Sequence, residues 1–123
     1  SYHWVSLVIN LQLCSVLILD PFHAPFLDSQ VGVLIKPVTE LLPWLLKRFG
    51  MPSLTEHLNT EPFSWTRASS LYDNNGDGDC GSVNAKFFEM HAHGLGFSYM
   101  ALLSDDVVSK FRKVYAMDTC HFC

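Results

Sequence analysis

HWVSLVINLQLCSVLILD, residues His3 to Asp20, decides how the rest of the chain is read. Trp4–Ile9 and Cys14–Leu19 are aliphatic, β-branched runs, and Asn10-Leu11-Gln12-Leu13 separates them. Two such runs on a short loop predict a hairpin. Both of its faces are apolar, so it is expected inside a sheet covered on both sides. No Asn-Gly pair marks the turn type. With the loop centred between Leu11 and Gln12, facing residues have numbers that sum to 23. His3 and Asp20 then stand opposite each other on one face, their Cβ atoms about 4.5–5.5 Å apart. A carboxylate so placed accepts the imidazole N–H, fixes its tautomer and stabilises the imidazolium. A one-residue slip would move one of the two to the other face.

Composition excludes several classes. Val5–Leu19 is the longest apolar stretch, and Ser6, Asn10, Gln12 and Ser15 interrupt it. It is shorter than the roughly 20 apolar residues of a membrane span. The leader Ser1-Tyr2-His3-Trp4 lacks the basic residues of a signal peptide. The 123 residues are 49% hydrophobic, 13% aromatic and 16% charged, which fits one folded domain over 1–123 and not a disordered tail. A net charge of -4 with only eight Lys and Arg argues against a nucleic-acid partner. The expected state is a monomer that binds neither nucleic acid nor membrane. Four cysteines are sparse for a disulfide scaffold, so a reducing compartment, nuclear or cytoplasmic, is expected.

Further along, Val38, Leu41, Leu42, Leu45, Leu46 and Phe49 recur at helical steps, predicting a helix over 31–49. Pro43 is expected to kink or divide it. One short helical turn is expected within 52–62, and a strand around Trp65 within 63–72. Asp73-Asn74-Asn75-Gly76-Asp77-Gly78-Asp79 marks a sharp polar turn. A helix follows over 81–93, with Val83, Phe87, Phe88 and Met90 on its apolar side and Gly94 as its stop. A last helix starts after Ser104, an N-cap residue, and runs to about Met117.

Cys80 completes the constellation. It follows the glycine-containing turn and opens a predicted helix, whose N-terminal dipole favours a thiolate. Gly76 and Gly78 permit positive φ and close approach of a substrate backbone. The N–H groups at the helix start can bind an oxyanion, and the Asn74 amide could offer a second donor.

These residues together resemble the Ulp1 family of cysteine proteases, which release SUMO and ubiquitin-like modifiers. The resemblance rests on His3-Trp4, the aliphatic hairpin ending in Leu19-Asp20, and Asp79-Cys80-Gly81. Asp20 lies 17 residues after His3 and Cys80 another 60 on, spacings usual in that family. Lys86-Phe87-Phe88-Glu89, Phe111-Arg112-Lys113 and Ala116 resemble divergent plant members. The resemblance implies Cys80 as nucleophile, His3 as general base and Asp20 as its orienter. Asn74 stands near where the family has a Gln oxyanion donor, one methylene longer. Trp4 matches the aromatic residue that shields the catalytic His, and with Gly78 it would line a narrow channel for a Gly-Gly tail. The implied fold is α+β and papain-like, a small mixed sheet flanked by helices. Family domains continue upstream of the His, so an N-terminally truncated domain is expected, with activity in question. The implied partners are a SUMO or other ubiquitin-like modifier and its conjugates, and no cofactor is implied.

Two other readings compete. A non-catalytic, protease-like interaction module would keep the fold without the chemistry. A calcium loop is suggested by Asp73, Asn75, Asp77 and Gly78, which fit D-x-[DN]-x-[DN]-G. Its twelfth position, however, is Asn84 instead of a bidentate Glu, and its eighth is Cys80. His91 and His93 are two apart and point to different helix faces. Cys120 and Cys123 supply only two of the four ligands of a structural zinc site. No metal site is expected.

Overall fold

A computed structural model of the chain describes residues 3–22, 27–69, 71–73 and 80–121, the last four of these by backbone alone. Its elements are β1 (Ser6–Asn10), β2 (Ser15–Leu19), α1 (Asp28–Phe49), α2 (Pro52–Thr55), β3 (Ser64–Arg67), α3 (Cys80–Ala92), α4 (Phe97–Met100) and α5 (Asp105–His121). The fold is α+β with a small three-stranded sheet in the order β1-β2-β3. A four-residue connection returns β2 antiparallel to β1. β3 runs parallel to β2, with Val16 beside Trp65 and Ile18 beside Arg67, so the sheet is mixed.

The hairpin forms, but its turn is Leu11–Cys14, one residue later than expected. Asn10 explains the turn without a glycine. Its Oδ1 accepts the Leu13 N–H at 2.9 Å, and Cys14 takes the left-handed conformation, φ 51°, that closes the loop. The expectation of two covered faces is wrong for β1. Ser6 is buried and Leu7 and Val8 are half-buried, whereas Ile9 and Asn10 are exposed. β1 is an edge strand, and its apolar content overstates its burial. β2, the central strand, carries buried Val16, Ile18 and Leu19.

α1 begins at Asp28, three residues before the predicted start, because Gln30 reaches back to accept the Leu27 N–H at 2.8 Å. It continues to Phe49 through both Pro37 and Pro43, undivided. Pro43 cannot donate to the Thr39 carbonyl one turn earlier, and the Phe63 N–H does so instead at 3.0 Å. The buried stripe is Ile35, Thr39 and Pro43, flanked by half-buried Val38, Leu42 and Leu46. Leu41, Leu45 and Phe49, which share the helical spacing, are exposed. The helix is apolar on more faces than it can bury.

The expected short turn is α2, and the expected strand at Trp65 shrinks to β3. α4 was not foreseen. α3 starts at Cys80 and ends on Gly94 at φ +75°, with the Leu95 N–H bonded to the Met90 carbonyl at 2.9 Å. Val83, Phe87 and Met90 are buried as read, but Phe88 is exposed. Ser104 caps α5 by accepting the Val107 N–H at 3.4 Å, and the helix runs to His121, past the expected end. Among the described residues, no helix is long and apolar enough to cross a membrane.

Two compact units interleave along the sequence. One comprises 1–6, 19–23 and 68–123; the other comprises 7–18 and 24–67. The second unit has a core of Val16, Leu58 and Phe63, with Leu42, Leu46 and Trp65 packed against it. In the first unit α3 packs on α5, and Val83, Phe87, Met100 and Val108 are buried.

Candidate active site

His3, Asp20 and Cys80 all belong to the first unit. His3 lies just before β1 and Asp20 just after β2, so the hairpin returns one to the other. The His3 Nε2 meets the Asp20 Oδ1 at 2.7 Å. With the turn centred one residue later, a regular ladder has facing numbers that sum to 25, not 23. The parity is unchanged, so the two residues keep one face and meet diagonally, within reach of a long side chain. His3 then faces Phe22, and the two rings lie edge to face with centroids 6.2 Å apart.

Asp20 is 2% exposed. Its Oδ1 also accepts the Phe22 N–H at 2.9 Å, an Asx-type turn that Pro21 helps to set. A buried carboxylate needs such donors and a cationic partner. Because an ionised carboxylate only accepts, the Nε2 of His3 carries the proton toward it. Neutral His3 then has Nδ1 as its basic nitrogen.

Cys80 is the first residue of α3, half-buried, with a free thiol; Cys14 is also free. Asn84, one helical turn after Cys80, connects it to the segment that runs from His3 into β1. The Asn84 Nδ2 donates to the Trp4 carbonyl at 2.6 Å and to the Cys80 carbonyl at 2.8 Å. Its Oδ1 accepts the Ser6 hydroxyl at 2.6 Å. Two carbonyls on one atom and a hydroxyl on the other fix which is nitrogen and which is oxygen. Ser6 is fully buried and Asn84 is 6% exposed.

Trp4 is 63% exposed, and the Phe22 ring is in contact with His3. Asn74 and Gly78 lie outside the described residues, as do Asn75 and Asp77 of the candidate calcium loop. Among the described residues, no three of His, Cys, Asp and Glu gather as a metal site would require. Phe22, Ser6 and Asn84 were not among the residues expected at the site. Ser6 interrupts an apolar strand and Asn84 sits on the apolar side of α3. Two polar residues at buried positions were the available signal, but nothing local says that they face each other.

No curated protein and no solved structure matches the chain. The model of one family, described as the Ulp1 protease family, C-terminal catalytic domain, matches residues 1–122. That match takes in the hairpin, the acid–imidazole pair and the helix that opens on a cysteine, and on it the chain belongs to the Ulp1 protease family, cysteine proteases that act on SUMO-like proteins.

Proposed function

We propose that this chain is a thiol peptidase that cleaves after the C-terminal glycine of a SUMO or ubiquitin-like modifier, with Cys80 as nucleophile, His3 as general base and Asp20 as its orienter. The observation that carries the reading is the 2.7 Å bond between His3 and the buried Asp20, in the same unit as a half-buried thiol at a helix start. In this mechanism Nδ1 of His3 holds the proton of the Cys80 thiol. The thiolate sulfur attacks the glycine carbonyl carbon, and the N–H groups at the start of α3 stabilise the oxyanion, with Asn74 as a further donor. The C–N bond breaks as His3 protonates the leaving amine, leaving a thioester. Water then attacks, His3 takes its proton, and the C–S bond breaks to return the thiolate. Trp4 and Gly78 would line the path of the glycine tail. The enzyme would work as a monomer in the nucleus or cytoplasm, where the thiol stays reduced.

The test is reaction with a SUMO or ubiquitin-like modifier ending in a vinyl sulfone. One covalent adduct at Cys80 is expected, lost in Cys80→Ser with the thermal midpoint nearly unchanged. Labelling of Cys80 no faster than Cys14 or Cys123 would overturn the reading. Retention of the modifier without an adduct would indicate an interaction module instead.

A further inference from the structure

We propose that Asn84, held by Ser6, is a positioning residue that sets the distance between the Cys80 thiol and the His3 imidazole. The proposal rests on the peptidase reading above.

Cys80 and His3 come from remote parts of the chain, and nothing local to either fixes their separation. The Asn84 amide does so with one nitrogen. One of its protons goes to the Cys80 carbonyl and the other to the carbonyl of Trp4, the residue after His3. The two peptide groups cannot part without breaking a short, part-buried hydrogen bond. Ser6 fixes the third corner, because its hydroxyl on Oδ1 prevents the amide from turning about its last torsion. Ser6 belongs to β1, so the same strand that delivers His3 also orients the group that holds Cys80. Cys80 and Asn84 are one helical turn apart, so a shift of either moves the other. Reacting groups must be held within a few tenths of an ångström, and a 1 Å misplacement can cost about 10²-fold in rate.

A mere packing role makes the opposite forecast. Loosening the packing around Asn84 would expose Cys80 and speed its alkylation. Loss of positioning slows Cys80 alone, since a thiol without its imidazole is only a few per cent thiolate at neutral pH.

The experiment measures iodoacetamide alkylation of Cys80 and Cys14 in the same folded chain at neutral pH, by peptide mass spectrometry. Asn84→Leu keeps the branching at Cγ and removes both donors. It is expected to slow Cys80 about tenfold with Cys14 unchanged. Ser6→Ala, which leaves Asn84 in place, is expected to slow Cys80 a few-fold and serves if the first variant does not fold. Combining Asn84→Leu with His3→Ala should slow Cys80 no further than the slower single variant. An unchanged or faster Cys80 in folded Asn84→Leu, or additive losses in the double variant, would overturn the proposal alone. If His3→Ala by itself leaves Cys80 unchanged, the peptidase reading falls and this proposal with it.

Discussion

Asp20 shows how a single side chain can be written into a strand register. Its carboxylate is buried, and it is reached by the His3 ring and by the N–H two residues on. Asp20→Asn keeps one oxygen for the Phe22 N–H but removes the charge that, in the proposed mechanism, stabilises the imidazolium and fixes its tautomer. Adduct formation at Cys80 is expected to fall roughly 10⁴-fold, as for the equivalent change in a Ser-His-Asp triad. The thermal midpoint should hardly move. Labelling within tenfold of the parent chain would remove Asp20 from the mechanism. The pair was legible in the sequence because side chains alternate with period two, so an error of one residue in the turn's centre leaves parity intact. Asn84 was not legible, because its partners Trp4 and Ser6 lie about eighty positions away and no periodicity joins them.

Among the elements, α1 and α3 end on glycines for different reasons. Gly50 has ordinary φ, -76°, but a Cβ there would stand 2.5 Å from both the Leu46 carbonyl oxygen and the Thr55 Cγ2. Gly94 has open space around it and a φ of +75°. Gly50→Ala must therefore push α2 from the end of α1, at about 1–3 kcal/mol. Gly94→Ala pays only for the left-handed conformation, about 1–2 kcal/mol, and Gly94→Asn should recover part of that. Urea unfolding of these three variants and of Gly50→Asn checks this; recovery by Gly50→Asn as well would mean that backbone conformation, not space, governs the first site. The glycine at each helix end stands in the sequence, but only coordinates separate the two causes. The same limit explains Pro43. Local rules give it a broken helix, and the relief comes from the Phe63 N–H, a donor that no local pattern reveals.

At the scale of the molecule, α3 is tied to α5 by the Tyr115 hydroxyl, which donates to the Glu89 Oε2 at 2.6 Å, while Lys86 holds the other oxygen at 3.3 Å. Bonding from Tyr115 first, and then from Lys86, holds the Glu89 carboxyl below its ordinary range. Burial, and then the Glu89 bond, raises the Tyr115 hydroxyl above the ordinary tyrosine range. The signs follow from which form the fold favours. Glu89 contributes stability above the ordinary carboxyl range and loses it as pH falls through its lowered folded value. Tyr115 contributes below the ordinary tyrosine value and loses it as pH rises toward its own raised value. The clasp is partly exposed and screened by solvent, so its worth is small. Tyr115→Phe should lower the thermal midpoint by about 1–3 °C across the neutral range. That difference should shrink toward acid and toward strong alkali. Glu89→Gln should remove the acid limb while leaving much of the neutral midpoint, since an amide oxygen still accepts the hydroxyl. Melting curves against pH for the three chains measure this directly. A Tyr115→Phe deficit that stays constant from acid to alkali would mean that the hydrogen bond to the Glu89 carboxylate is not what the lost hydroxyl contributes.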